Sequence, residues 1–213
     1  MAKKRPARKK TTGPAPLTEY RRKRDFARTP EPARDTTASP TGRLYSIQKH
    51  RARQLHYDLR LELDGVLLSW AVPKGPSLDP SVKSLAVRTE NHPIEYGEFE
   101  GIIPAGEYGA GAVMLWDTGE WEPINEPRKA LEAGDLKFRL YGEKLGGSWA
   151  IVRMGDAKSR DWLLIKKKDD AARARAEYSV CNEEPRSVIP HPGPLYTSAP
   201  ADHEEAGSRV ARP

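Results

Sequence analysis

One cysteine, three phenylalanines and three methionines are all that the 213 residues hold of those types. The lone Cys181 excludes an internal disulfide and a multi-cysteine zinc site. Nowhere do about 18 apolar residues run together, and the mean hydropathy is -0.74, so no membrane span is expected. The N-terminus is basic, but no apolar stretch follows it, which argues against a secretory signal. These absences favour an intracellular, cytoplasmic protein with no membrane partner. Only 37% of the residues are hydrophobic, enough for one packed domain plus tails. Proline (19) and glycine (17) are plentiful instead, which argues against a bundle of long helices.

The net charge of +6 is unevenly spread. Residues 1–40 carry 12 Lys/Arg against 4 Asp/Glu, residues 41–170 carry 19 against 20, and residues 171–213 carry 5 against 6. The positive excess therefore sits in an N-terminal arm broken by prolines, which raises affinity for polyanions or simply keeps the chain soluble. The sequence divides into a disordered basic arm at 1–19, a domain at 20–170, and a loosely ordered tail at 171–213. Within the domain, residues 20–40 form an N-terminal peptide.

The domain reads as short strands punctuated by turns. From Leu55 to Leu63 the pattern alternates throughout: Leu55, Tyr57, Leu59, Leu61 and Leu63 share one face, His56, Asp58, Arg60 and Glu62 the other. Asp64-Gly65 then supplies a two-residue hairpin turn, and Val66–Val72 returns as partner. Further strands are expected at 44–49, 85–89, 112–116, 136–140, 149–154 and 162–166, and one helix at 128–133 ended by Gly134. The expected fold is mainly β: a single antiparallel β-barrel with short helices, a sandwich being the alternative.

The polar row is the most informative feature. On a barrel, His56, Asp58 and Arg60 would line the concave interior, and His50 lies close enough in sequence to join them. Two imidazoles and a carboxylate suit an open site for a divalent first-row metal; side chains meeting by chance are the plain alternative. Arg60 offers a planar fork matched to phosphate oxygens. His92, in a loop with no core role for it, can bind a phosphate or protonate a leaving oxygen, and Tyr96 adds a hydroxyl donor. The sequence has no phosphate-cradling P-loop, dinucleotide fingerprint or nucleophile elbow. Lys166, Lys167 and Lys168 read as a solvated charge run.

Several motifs now combine. Gln48-Lys49-His50, the run from Leu55 to Gly65, and Ser69-Trp70-Ala71-Val72-Pro73-Lys74-Gly75-Pro76 closely resemble the 3′-phosphoesterase domain of bacterial DNA ligase D. His92-Pro93 with Tyr96, Gly106-Glu107-Tyr108-Gly109-Ala110-Gly111 and Trp162-Leu163-Leu164-Ile165-Lys166-Lys167 continue the match, and Lys23-Arg24-Asp25-Phe26 with Thr29-Pro30-Glu31-Pro32 extend it upstream. The resemblance implies a β-barrel with a divalent metal, typically Mn2+, with Co2+ or Zn2+ as alternatives. It implies removal of a 3′-terminal ribonucleoside and then of the remaining 3′-phosphate. His50, His56 and Asp58 would be the metal ligands, and Arg60, His92 and Tyr96 would hold the phosphate. Arg24, Asp25, Glu31, Gln48 and Glu90 would support activity.

Two positions depart from the family pattern. Ser84 and Gln54 stand where basic residues are common, so phosphomonoesterase activity is expected to be the weaker one. Arg88, of the same strand parity as Ser84, is the expected substitute phosphate ligand. The resemblance also implies primer–template 3′ ends as substrate in non-homologous end joining, near the nucleoid. The chain has no length for a ligase or polymerase, so a stand-alone monomer beside a separate ATP-dependent ligase and a Ku-type end-binding protein is expected. Two other readings are a non-catalytic end-binding module and, from His56-x-Asp58 plus a distal histidine, an iron-dependent oxygenase.

Overall fold

The computed structural model describes residues 17–33 and 38–189. Most of the expected basic arm, and the tail beyond 189, lie outside the described residues.

Nine strands form one antiparallel sheet: β1 (Leu44–Arg51), β2 (Leu55–Leu63), β3 (Val66–Val72), β4 (Lys83–Arg88), β5 (Gly101–Ile103), β6 (Gly111–Pro123), β7 (Asp135–Gly142), β8 (Gly146–Arg153) and β9 (Asp161–Lys166). Eight of them run in the order β1-β2-β3-β4-β9-β8-β7-β6, and a β1–β6 pairing closes the barrel. β5 hangs on β6 outside the ring. The Asp64-Gly65 turn forms as expected, both residues taking positive φ (55° and 79°), the backbone that a two-residue hairpin demands.

β6 is far longer than the predicted 112–116, because β1 pairs along residues 112–120 while β7 pairs along 119–123. A bulge opposite Ile47 and Gln48 inserts Trp116 as the extra residue. The helix α2 (Pro127–Ala133) matches the expected one. Glu126 caps its first turn by accepting from the Arg128 and Lys129 N–H groups, and Gly134 ends it at φ 80°. Two further short helices, α1 (Thr18–Arg22) and α3 (Val180–Glu183), and a 3-10 turn at Ile94–Glu98 carry no periodic signal of their own.

The interior is apolar. Tyr45, Leu59, Leu61, Trp70, Phe138 and Trp149 are 0–1% exposed and share one core. Period-2 geometry therefore puts the opposite row of β2 on the outside of the barrel. The polar row does not line a concave interior, as expected from the sequence, but the outer face of β1, β2 and β3. The reason is volume: five tryptophans and the branched residues of eight strands fill so small a barrel.

Two further expectations change. Lys166 is not solvated; its ammonium lies inside the barrel end, bonded to Asp169 and the Ser148 and Lys167 carbonyls. Residues 171–189 are not a loose tail. Val180 joins the core, Trp116 Nε1 donates to the Glu184 carbonyl, and the Val188 N–H donates to that of Leu115.

Candidate active site

The outer face of β1–β3 is walled by three segments. Residues 17–33 cross it as a strap, the 90–99 segment covers β3 through a Leu67–His92 bridge, and the 104–110 loop leans on the β1–β2 turn. Between them lies a cleft of about 730 Å³.

Register makes the metal-type cluster. His50 pairs directly with His56 and Gln48 with Asp58, so three ligand-type side chains converge. Their donor atoms lie within 4.8 Å of one another. His56 Nε2 is 3.6 Å from one Asp58 oxygen and His50 Nδ1 is 3.8 Å from the other. Each ring is set by a backbone carbonyl: His50 Nε2 donates to Gly109 O at 2.8 Å, and His56 Nδ1 donates to Gln54 O at 3.0 Å. In the neutral rings, the lone pairs then face the Asp58 carboxylate, the tautomers that a metal site requires. Burial opposes ionisation of Asp58, but the Arg60 guanidinium beside it, and the two imidazoles in their protonated form, outweigh it and hold its pKa below the usual range. This donor set fits a divalent ion with open positions for water and substrate.

Beside it sits an anion-binding wall. Arg60, its side chain 2% exposed, donates from Nε to Gln48 Oε1 (2.6 Å), from one terminal nitrogen to Ser69 Oγ (2.8 Å) and from the other to Asp58 (3.2 Å). Its remaining N–H donors lie at the cleft floor. Gln48 is itself fixed by donating to the Tyr96 and Phe99 carbonyls. Arg24 of the strap reaches in, bonding Glu31 (2.8 Å) and Glu90 (3.1 Å). Burial would raise the Glu90 carboxyl, but its own backbone N–H, Lys23 and Arg24 hold it low.

His92 Nδ1 lies 2.9 Å from Glu90 O, to which it donates, and Nε2 accepts from Arg24 at 3.3 Å. Burial, with Arg60 and Arg24 adding like-charge repulsion, pushes its pKa well below the ordinary histidine value. The ring is therefore neutral, with a lone pair toward the cleft. Burial pushes the Tyr96 hydroxyl well above its ordinary value, and that hydroxyl donates to Glu31 at 2.8 Å.

The family model of the DNA Ligase D 3′-phosphoesterase domain matches residues 48–153, a span that contains the metal-type cluster, Arg60, Glu90, His92 and Tyr96. The chain belongs to this phosphoesterase domain family. It is 52% identical over 201 residues to the multifunctional non-homologous end joining protein LigD of Pseudomonas aeruginosa, covering 93% of this chain and 23% of that protein. The Mycobacterium tuberculosis multifunctional non-homologous end joining DNA repair protein LigD is 45% identical over 156 residues, 72% of this chain and 20% of the relative. The chain thus spans about a quarter or less of these relatives' length.

Of the predicted residues, Arg24, His50, His56, Asp58, Arg60, Glu90, His92 and Tyr96 line the cleft. Gln48 and Glu31 lie just behind it, buried, positioning Arg60, Arg24 and Tyr96. Asp25 does not reach it: the side chain is exposed and accepts from Ala27 N in a local turn. Arg88 is not in the cleft either. It pairs with Trp70, so its guanidinium stacks over that ring (4.5 Å) and bonds the Ser69 carbonyl and Asn91. The shared parity with Ser84 was right, but it selects the apolar face. Ser84 is buried outside the cleft, and Glu62, the last of the polar row, instead holds Ser39 and the Leu44 N–H.

Sequence reasoning missed Arg53 and gave no role to Lys23, Tyr108 or the Gly109 carbonyl, although these three stand inside family motifs. Ser69, which bonds both Arg60 and His92, stood inside a quoted motif without a role.

Proposed function

We propose that this chain is a metal-dependent 3′-end-healing phosphoesterase. The carrying observation is that one cleft holds both the His50–His56–Asp58 cluster and the Arg60 and Arg24 guanidinium groups. His50, His56 and Asp58 would hold the ion, with manganese the expected one and cobalt or zinc as alternatives. Such an ion, when bound, supplies Lewis acidity toward a phosphoryl oxygen or a water.

The chain's own groups do the rest. Arg60, locked by Gln48 and Ser69, binds equatorial phosphoryl oxygens where charge develops. Arg24, freed from His92 Nε2 by the arriving anion, adds a second fork. The phosphate's charge also raises the proton affinity of His92, turning Nε2 from acceptor into donor. In the diesterase step, water adds to phosphorus, the P–O5′ bond breaks, and the terminal ribonucleoside leaves with its 5′-hydroxyl. In the monoesterase step, water adds to phosphorus, the P–O3′ bond breaks, and phosphate leaves a 3′-hydroxyl. The natural substrates are primer–template 3′ ends in DNA repair by non-homologous end joining, beside a ligase and a Ku-type end-binding protein.

The test uses a 5′-labelled primer–template ending in one 3′-ribonucleotide, with Mn2+ or excess EDTA. Metal-dependent shortening to a 3′-phosphate and then a 3′-hydroxyl is expected, with both steps lost in Arg60→Ala and His56→Ala. Binding without shortening under any divalent metal would replace this reading with that of an end-binding module.

A further inference from the structure

The cleft wall carries two groups that the reaction above does not use. Among the described residues, three cations line the cleft: Arg24, Arg60 and Arg53. The first two are engaged by Glu31, Glu90 and Asp58. Arg53, exposed on the β1–β2 turn three residues before His56, has no hydrogen bond or ion pair among the described residues. The second group is Tyr108 in the 104–110 loop. It is 46% exposed, whereas Tyr96 and His92, two other rings of the lining, are 3% and 4% exposed. Its hydroxyl accepts from Lys23 Nζ at 3.3 Å, and that ammonium also lies 4.8 Å from the ring centre. Tyr108 is thus a half-exposed ring oriented by Lys23 and Arg24 of the strap, the latter 5.4 Å from its centre, and Arg53 is a cation on the hairpin turn with no partner among the described residues.

From these two groups we infer the direction in which a strand lies across the cleft: Arg53 holds a phosphate of the retained strand, and Tyr108 stacks the base of the departing 3′-terminal nucleoside. This rests on the phosphoesterase reading. Its logic is chemical. A terminal nucleoside carries no phosphate beyond the one being cleaved, so a free guanidinium on that side would face no anion. The retained strand offers a phosphate at every nucleotide, which an unpaired arginine binds. An exposed aromatic ring suits a base of any identity, because every base has a π-face. The two groups therefore cannot exchange roles.

The two chemical steps separate them, since the departing nucleoside is present only in the first. Tyr108→Ala is expected to lower the ratio of diesterase to monoesterase kcat/KM about tenfold, the change residing in the diesterase KM. Tyr108→Phe keeps the ring and is expected to restore the ratio. Arg53→Ala is expected to raise KM about equally for a 3′-ribonucleotide end and a 3′-phosphate end, and to reduce the salt slope of end binding by about one. A Tyr108→Ala effect of the same factor on both steps, or none on either, overturns the assignment. So does a Tyr108→Phe protein that behaves like Tyr108→Ala, because the Lys23 contact and not stacking would then matter. An Arg53→Ala effect confined to the diesterase step would show the opposite strand direction. Wild-type protein that leaves both ends intact with Mn2+ would sink the phosphoesterase reading itself, a result distinct from all of these.

Discussion

Replacing Glu31 by alanine should detach the strap without unfolding the barrel. The Glu31 side chain is 0% exposed and accepts from Arg24 Nε (2.8 Å), Thr29 Oγ1 (2.8 Å) and the Tyr96 hydroxyl (2.8 Å). Removing one partner of a buried ion pair costs about 3–5 kcal/mol, because the remaining charge stays desolvated. The strap's other anchors include Leu17 and Tyr20, 6% and 1% exposed, each contributing about 1.5–3 kcal/mol by burial, and the ion pairs of Arg24 and Lys23 with Glu90 and of Arg28 with Glu107. With Glu31 gone, Arg24 and Lys23 share the single Glu90 carboxylate, and lifting the strap lets Arg24 regain water. Hydrogen exchange should show residues 17–33 losing protection by a factor of 10² or more. Strands β1–β4 should keep theirs, and Tm should fall by less than about 5 °C. End-healing activity should drop with the loss of Arg24. A strap that stays protected, or a barrel whose Tm falls by more than about 10 °C, would refute the reasoning.

Three other perturbations follow from the same geometry. His92 is held neutral in the fold, whereas in the unfolded chain it takes up a proton near pH 6.5. Its contribution is thus complete above that value and is lost as pH falls toward the folded pKa. Between pH 7.5 and 5.5 the wild-type Tm should drop about 4 °C more than that of His92→Gln, and parallel curves would remove the argument. Asp58 and Glu90, whose pKa values are lowered, act only at more acid pH and leave this window clear. Mn2+ at about 100 times its Kd should raise Tm by about 5–10 °C, corresponding to about 2.7 kcal/mol, and EDTA should reverse it. His56→Ala should abolish that rise, and a full rise in the variant would place the ion elsewhere. Gly111 has φ 142°, and a Cβ there would sit 2.1 Å from the Arg51 carbonyl oxygen. Gly111→Ala should cost about 3 kcal/mol and weaken metal binding by displacing the loop that fixes His50; denaturant melts and metal titration would check it.

The alternating row of β2 and the Asp64-Gly65 turn were legible from local rules alone, since strand parity and turn chemistry act over a few residues. The same rules located seven more strands and the helix that Glu126 caps. They also isolated His50, His56, Asp58, Arg60, His92 and Tyr96 as candidates, with family motifs adding Arg24, Glu31, Gln48 and Glu90. Parity says that two residues share a face but not which face is inside. That depends on total side-chain volume, which is why the cleft lies outside the barrel and Arg88 stacks on Trp70. Asp25 shows the same limit: one residue from Arg24 in sequence, it faces water because the strap turns there. Tertiary contacts alone made Lys166 a buried plug, packed residues 171–189 onto the barrel, and set the His50 ring with a carbonyl 59 positions away. Local sequence specified the candidate ligands and their spacing. The β1–β2 register and the docking of the strap and the 90–99 segment decided which of them meet, because only tertiary contacts bring distant chain segments to one wall.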